Sequence, residues 1–464
     1  MPSQSGRANG FTVVVVAGTV VVVTGMVVVV VTVDVVVDEG AGVVDGVMAT
    51  RSEQAANTTT AVMSQTRRMG RDDTTRSPLV ASPRHSPHTP PVATIRGGLI
   101  PRGDELVRGE VSFDTGSITD SPTDDVVVDA DGLVVSPGLI DLQINGGFGM
   151  DFTHDPTTIW HVGERLPELG VTSFVPTVVT CPPEVTDLAM DVVANRRPDG
   201  YRGAEVLGLH FEGPWISPEM HGAHNPSYIT APNPDVARRW AESGLVRMVT
   251  LAPERPGADR VAGILRAGGV IVSLGHTAAD FETAQTALAG DASAVTHLFN
   301  QMSALDHRRP GVVGAALLSD RHCLVIVDGH HLAEGALRLA WRVLGPDRLI
   351  LVTDAMAALG LGPGTYPLGD GPITVGEEGP RTVDGRLAGS VVTLPEAMRN
   401  LVEATGAAKA QALQAATASP ARLLGLDDRG ALRPGGRADF TLFDDSFDVV
   451  ATYVAGTRMA DGRR

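Results

Sequence analysis

The sequence contains very little cysteine and lysine, and each scarcity excludes a class of site. Only two cysteines occur in 464 residues, Cys181 and Cys323, far apart and in no CxxC pair. A disulfide framework and a zinc site built from thiolates are therefore excluded. The sole lysine, Lys409, falls in a predicted helical stretch late in the chain. A two-metal site bridged by a carbamylated lysine is thus excluded as well.

Several catalytic motifs are also missing. No GxGxxG follows a predicted strand and no GxxxxGK[ST] occurs, which argues against dinucleotide-binding and P-loop sites. HExxH and GxSxG are absent too, which excludes a zincin protease and a serine hydrolase with a nucleophile elbow.

Charge and composition narrow the class of partner. The chain carries 54 acidic and 37 basic side chains, a formal net charge of −17, which argues against a sequence-independent grip on nucleic acid. Hydrophobic residues make up 43% and charged residues 20%, as in an ordinary enzyme with a packed core. We therefore expect no nucleic acid among the partners.

The first 91 residues differ from the rest. Residues 11–37 are mostly valine, long and apolar enough for a membrane-spanning helix, while 49–91 are rich in Ser, Thr, Pro and Arg and predict a disordered linker. One explanation is translation upstream of the true start, and the alternative is a membrane anchor. We predict a low-complexity, disordered extension over 1–91 on a cytoplasmic protein.

From residue 134 onward, short apolar runs alternate with helix-like stretches rich in Ala, Leu, Arg and Glu. Eight such alternations fit a (β/α)₈ TIM-like barrel over 134–392 better than a doubly wound open sheet. The apolar runs lie at 134–146, 171–180, 205–215, 246–254, 270–277, 294–300, 323–331 and 349–356.

Strand-like segments flank the predicted barrel at 92–133 and 430–464. Neither is long enough to bury a core alone, so we expect the two to pair into one small β-sandwich domain. Residues 393–429 predict a helical bridge between barrel and β-domain.

Polar residues stand where most of these runs end, and the carboxyl ends of barrel strands share one mouth. The residues at these ends are Gln143, Asn145, His210, Glu212, His276, His297, His330, His331 and Asp354.

Three of these residues suit a metal ion. His276 and His297 end consecutive strands, so both imidazoles can reach one cation at about 2.0–2.2 Å, and Glu212 can add a carboxylate oxygen. Two histidines and one carboxylate leave a coordination position open, as in catalytic sites. The alternative interpretation is that all three are hydrogen-bonded core residues.

Two further residues suit proton chemistry. Asp354 can take a proton from water and return it to a leaving group, although it could equally cap the following helix. His224, in the loop after the third run, can polarise a carbonyl oxygen, or it is a loop histidine without a role.

The ordered set of motifs resembles the amidohydrolase superfamily, and within it the N-acetylglucosamine-6-phosphate deacetylase family. The stretches that carry the resemblance are PGLIDLQINGGFGMDF, LGLHFEGPWISPEMHGAHNP, VTLAPE, SLGHTAAD, THLFNQMSALDHRRPG, VIVDGHHL, LVTDAMAALG and GRLAGS.

The resemblance implies hydrolysis of the acetamide of N-acetylglucosamine 6-phosphate to glucosamine 6-phosphate and acetate. It assigns Glu212, His276 and His297 as metal ligands, Asp354 as general base and acid, and His224 as the carbonyl-polarising group.

The resemblance further implies substrate contacts. Asn300 matches a substrate-contacting position. Arg308 and His331 match positions that bind the sugar phosphate from the neighbouring subunit of a homodimer. Gln143-Ile144-Asn145 stands where some relatives carry His-x-His. We therefore expect one divalent ion, Zn²⁺ before Fe²⁺, Mn²⁺ or Co²⁺, with both amides facing substrate.

Other functions remain open at this point. A related amidohydrolase could act on another N-acyl compound or on N-acetylgalactosamine 6-phosphate. A non-catalytic binding barrel would need neither a base at Asp354 nor an open metal position.

Overall fold

The structure, a computed structural model, describes residues 92–122 and 126–461, and of the N-terminal part four strands within residues 7–32. The chain divides into two units, Met1–Arg84 and His85–Arg464.

In the N-terminal unit, the valine-rich segment forms strands. Valine is branched at Cβ and favours extended backbone, and two-residue steps containing glycine separate the longer strands. This differs from the membrane helix that we gave as an alternative for residues 11–37. The strands pair in chain order as an antiparallel sheet, and they are Arg7–Ala8, Phe11–Val16, Thr19–Thr24 and Val27–Thr32.

Among the described residues, no helix has the length and apolarity to cross a bilayer. The disordered linker predicted over 49–91 lies outside the described residues, and the boundaries proposed for the domains remain predictions.

The second unit is built on a parallel barrel, which confirms the predicted fold. Its strands are nearly all buried, since helices cover them outside and side chains fill the interior. The strands, in sheet order, are β1 Leu139–Ile144, β2 Val171–Val179, β3 Leu209–Glu212, β4 Val246–Leu251, β5 Ile271–Leu274, β6 Ala292–Val295, β7 His322–Ile326 and β8 Leu349–Val352.

A helix lies between each pair of consecutive barrel strands, as parallel neighbouring strands require. Helix α7 is interrupted at Gly345, where φ is 61°. The helices are α1 Ile159–Arg165, α2 Pro183–Asn195, α3 Pro234–Ser243, α4 Ala258–Ala267, α5 Phe281–Ala289, α6 Gly311–Leu318 and α7 Glu334–Arg348. Single 3₁₀ turns lie at Pro156–Thr158, Leu166–Leu169, Pro218–Met220 and Pro226–Tyr228.

The barrel closes at the carboxyl ends of β1 and β8. The Asp354 amide donates to the Gln143 carbonyl oxygen at 2.8 Å, and the Asn145 amide donates to the Ala355 carbonyl oxygen at 2.7 Å. These bonds bring the first and last strand-end residues of the predicted site together.

The segments before and after the barrel share one eight-stranded sheet, as predicted for the small β-domain. Val134–Pro137, which we predicted as the start of the first barrel strand, belongs to this sheet and pairs antiparallel with Phe440–Phe443. Its apolar core includes Ile95, Phe113 and Tyr453. The strands are Ala93–Arg102, Glu105–Phe113, Ile118–Thr119, Val127–Asp129, Val134–Pro137, Phe440–Phe443, Val449–Val454 and Thr457–Asp461.

Helices α8 Leu394–Thr405, α9 Lys409–Ala416 and α10 Ala418–Leu423 occupy the stretch predicted as a helical bridge. The sequence did not predict a three-stranded antiparallel sheet inserted after β8, whose strands are Gly364–Leu368, Gly371–Gly376 and Gly379–Arg381. Shorter paired strands lie at Gly146–Gly147, Met150–Asp151 and Glu205–Val206.

Candidate active site

Three predicted metal ligands converge at the carboxyl mouth of the barrel. Glu212 ends β3, and His276 and His297 each stand two residues beyond β5 and β6. Glu212 Oε1 lies 3.0 Å from His297 Nε2 and 3.3 Å from His276 Nε2, and the two Nε2 atoms are 3.1 Å apart. All three side chains are buried.

The hydrogen bonds around His276 fix which of its nitrogens is free. His276 Nδ1 lies 2.7 Å from the carbonyl oxygen of Met220, which can only accept, so Nδ1 carries the proton. His276 Nε2 therefore presents a lone pair to the cluster. This outer hydrogen bond is the kind that orients histidine ligands in metal sites.

The donor set fits a divalent cation. Two imidazole nitrogens and one carboxylate oxygen lie within 4.8 Å of one another, and among the described residues this is the group of His, Cys, Asp and Glu with such spacing. The pKa of Glu212 is held well below its ordinary value, because its contacts with the two histidines outweigh the effect of burial. An ionised carboxylate beside two imidazole rings is a suitable ligand set.

Asp354, two residues beyond β8, faces this cluster and is held by two amides. Asn145 Nδ2 donates to Asp354 Oδ1 at 2.8 Å, and Gln143 Nε2 donates to the same oxygen at 3.1 Å. Gln143 Nε2 also lies 3.3 Å from Glu212 Oε1. Both donors meet Oδ1, so Oδ2 is the oxygen left for proton transfer.

Gln143 is completely buried, and its predicted contact with substrate remains a prediction. Its amide lies behind Asp354 and Glu212 and orients both. Asn145 does line the cavity.

Burial tunes Asp354 toward proton exchange near neutral pH. Desolvation, with a further contribution from the Glu212 charge, raises the pKa of Asp354 to about 6. A carboxyl group with such a pKa can both take and return a proton, as a general base and acid must.

His224 presents one nitrogen to the cluster. Its Nδ1 accepts from the Thr180 backbone amide at 3.3 Å and lies 2.9 Å from Thr180 Oγ1, while its Nε2 lies 4.0 Å from Glu212 Oε2. Burial holds the pKa of His224 well below its ordinary value, so the ring is neutral. A neutral imidazole with Nε2 toward the mouth can donate a hydrogen bond to a carbonyl oxygen.

Three of these residues have left-handed backbone, with φ of 48° at His276, 30° at His297 and 48° at Asp354. Non-glycine residues rarely adopt such angles, and they concentrate at functional sites. The turn out of each strand is thus shaped to aim its side chain into the mouth.

The predicted substrate residues divide into two groups. Asn300 and His331 line the same cavity as Asp354, and His331 Nδ1 bonds Asp328 Oδ2 at 2.7 Å. The structure therefore places His331 in the cavity of its own chain, which differs from the prediction that it reaches a neighbour's site. Arg308 is exposed on the loop before α6.

Two other strand-end histidines lie outside the site. His210 is fully buried between Thr177 Oγ1 and Thr250 Oγ1, at 3.1 and 2.8 Å, and desolvation lowers its pKa to about 4. It is a neutral core histidine. His330 is exposed.

Sequence reasoning missed residues that support the site from behind. Asp141, inside β1, bonds Thr353 Oγ1 at 2.6 Å and so joins β1 to the end of β8 beside Asp354. The Asp354 carbonyl oxygen accepts from the Ser390 amide at 2.8 Å. No single motif position signals the Asp141 contact, because a carboxylate within an apolar run gives no indication of its partner.

The chain is similar to known proteins over most of its length. A sequence model of the amidohydrolase family matches residues 134–459. An N-acetylglucosamine-6-phosphate deacetylase of Homo sapiens is 41% identical over 386 residues, covering 78% of this chain and 92% of the human protein.

Solved structures agree. The N-acetylglucosamine-6-phosphate deacetylase of Pasteurella multocida matches with a TM-score of 0.75 and 32% identity, covering 80% of this chain and 100% of that one. A D267A mutant of the Mycobacterium smegmatis enzyme, in complex with N-acetyl-D-glucosamine 6-phosphate, matches with a TM-score of 0.73, 32% identity and 80% coverage of this chain. The chain belongs to the N-acetylglucosamine-6-phosphate deacetylases of the amidohydrolase family.

Proposed function

We propose that this chain is a metal-dependent hydrolase that removes the N-acetyl group of N-acetylglucosamine 6-phosphate, giving glucosamine 6-phosphate and acetate. The observation that carries the proposal is the meeting of Glu212, His276, His297 and Asp354 in one cavity of a chain whose relatives are named for this reaction. A non-catalytic binding barrel would not need this arrangement.

Glu212, His276 and His297 would hold the cation, and Zn²⁺ suits the two-nitrogen, one-oxygen donor set best. When bound, a divalent cation there acts as a Lewis acid toward water and the acetamide oxygen. Gln143 and Asn145 present amide groups, which are poor ligands for divalent transition metals, so we propose a single ion.

The protein residues move the protons. Asp354 Oδ2 takes a proton from the attacking water while the water oxygen bonds to the acetamide carbon. His224 Nε2 donates a hydrogen bond to the developing oxyanion. The carbon–nitrogen bond then breaks, and Asp354 returns the proton to the departing amine. Asn145 and Gln143 keep Oδ1 occupied so that Oδ2 faces the reaction.

We further propose that the enzyme works as a homodimer in which Arg308 reaches the sugar phosphate in the partner's cavity. An exposed arginine on a rim loop suits this role, since its guanidinium forms paired hydrogen bonds to phosphate oxygens. His331, within its own cavity, adds a second donor near the same end. Buried, unpaired Cys181 and Cys323 support a reducing, cytoplasmic location.

The test is acetate release from N-acetylglucosamine 6-phosphate by purified protein, before and after chelation and after Zn²⁺ is restored. We expect activity that chelation abolishes and Zn²⁺ recovers. N-acetylglucosamine without phosphate and N-acetylgalactosamine 6-phosphate are the comparison substrates. Activity that survives metal removal would reject the metal-dependent mechanism, and equal rates without phosphate would reject the proposed substrate.

A further inference from the structure

One short loop supports two site histidines at once. This carrier loop, residues 220–224, gives the Met220 carbonyl oxygen to His276 Nδ1 and carries His224 at its other end. It packs tightly, since a Cβ atom at Gly222 would come within 3.2 Å of His276 Cε1. Any movement of the carrier loop therefore moves His224.

Arg386 holds the carrier loop from the opposite wall. One guanidinium nitrogen, Nη1, donates to the Gly222 carbonyl oxygen at 2.8 Å and lies 3.0 Å from His221 Nε2. Asp384 Oδ2 pairs with the other nitrogen, Nη2, at 2.5 Å and so steadies the guanidinium.

The hydrogen bonds fix the state of His221. A guanidinium has no acceptor, so His221 Nε2 accepts from Arg386. His221 Nδ1 lies 3.0 Å from the His224 carbonyl oxygen and must donate to it. The neutral imidazole thus relays one hydrogen bond from Arg386 to the backbone of His224.

Arg386 is itself well placed to act as an anchor. Its backbone is pinned by Thr382, whose amide donates to the Arg386 carbonyl oxygen at 2.9 Å and whose Oγ1 accepts from the Arg386 amide at 3.0 Å. The next residues, Leu387, Ala388 and Gly389, line the cavity. Arg386 therefore ties two walls of the cavity together.

We propose that Arg386, acting through His221 and Gly222, is a positioning residue that sets His224 for the deacetylation, an inference that rests on the proposed function. Arg386 itself stays outside the cavity and touches no reacting atom. Its contribution is the fixed location of the imidazole that meets the carbonyl oxygen.

The kinetic test compares Arg386→Met and Arg386→Lys with the wild type. We expect Arg386→Met to lower kcat about tenfold with little change in KM, because a displaced His224 is felt mainly in the transition state. Arg386→Lys keeps one donor for the Gly222 carbonyl oxygen and should recover part of the loss. Arg196→Met is the matched control, since Arg196 is a similarly exposed arginine paired with Asp191 on the surface.

A double-mutant cycle separates positioning from general support. In a His224→Asn background, Arg386→Met should cost less than about twofold, because its effect passes through His224. An equal loss in both backgrounds, or no loss in the wild type, would overturn the proposal.

A readout without substrate keeps the inference testable if acetate release fails. Hydrogen exchange of the amides in the carrier loop, measured in the wild type and both Arg386 variants at equal metal content, should be about tenfold faster in Arg386→Met. Unchanged exchange would reject the proposed positioning role of Arg386. Faster exchange in a protein that releases no acetate would reject only the proposed function.

Discussion

At the residue scale, the site depends on where each strand-end side chain points. The sequence pattern identified Glu212, His276, His297 and Asp354, because a polar residue after a buried parallel strand must emerge at the common mouth. It could not show that Gln143 lies behind Asp354, since both orientations of an amide at a strand end have the same sequence pattern. The pairing of Arg386 with His221 joins positions 165 apart and leaves no local signal.

Replacing Asp354 by asparagine should reduce kcat by about three orders of magnitude or more, because the amide cannot take a proton from water. The proposed metal ligands Glu212, His276 and His297 are unchanged in this variant, so its metal content should equal that of the wild type. Acetate release and metal analysis on the same preparation check both statements. A variant within tenfold of the wild-type rate would remove Asp354 from its proposed role.

Asn145 tests the orientation of that carboxylate. Asn145→Ala removes the 2.8 Å hydrogen bond to Asp354 Oδ1 and should lower kcat by about ten- to a hundredfold without loss of the cation. The companion variant is Asn145→Ser, whose shorter side chain keeps one hydrogen-bond donor. A rate unchanged in the alanine variant would show that Gln143 alone suffices.

At the element scale, the alternation of apolar runs and helical stretches determined the barrel, because each parallel strand is buried on both faces. Two elements were not predictable in this way. Val134–Pro137 continues directly into β1, and only the Pro137-Gly138 step marks where the chain leaves the flanking sheet. The inserted sheet over 364–381 is rich in glycine and proline and half exposed, so it has no clear apolar period.

The link between β1 and β8 predicts a pH-dependent stability. Desolvation raises the pKa of Asp141 to about 7 from an ordinary 3.8, so the folded state binds this proton more tightly than the unfolded chain. The contribution of this proton to the free energy of unfolding is therefore complete below about pH 4, and it is lost as the pH rises through 7. Between pH 5 and 8 the loss amounts to about 2–3 kcal/mol.

Asp141→Asn can keep the hydrogen bonds to Thr353 and Gln143 but cannot ionise. Urea unfolding at pH 5 and pH 8 should show a smaller difference in this variant than in the wild type. The exposed Asp320→Asn serves as the control and should behave like the wild type. Equal pH dependence in the Asp141 variant would contradict the assignment.

At the scale of the whole molecule, the described site residues all lie between Gln143 and Gly389. The apolar cores extend from Ile95 to Tyr453, and the next residue, Val454, is buried as well. Composition alone separated residues 1–91 from this part of the chain. We expect a chain that begins at residue 92 to keep the kcat, KM and melting temperature of the full-length protein, measured side by side. A large drop in melting temperature would show that the N-terminal unit supports the barrel.

The largest-scale prediction concerns two copies of the chain. A single sequence does not show which copy supplies a residue, because a loop that reaches its own cavity and one that reaches a partner's have the same pattern. Arg308 is exposed and His331 lies in its own cavity, so only Arg308 remains a candidate for crossing. Arg308→Met should lower kcat/KM for the phosphorylated sugar by about a hundredfold.

Mixing two inactive variants decides between the two arrangements. In a dimer of one Asp354→Asn chain and one Arg308→Met chain, the second chain keeps its base and would receive Arg308 from the first. Co-expression at equal levels should therefore restore about a quarter of wild-type activity, since half the dimers are mixed and each has one complete site. If Arg308 serves its own cavity, every site in the mixture lacks one group and activity stays at the average of the two parent variants.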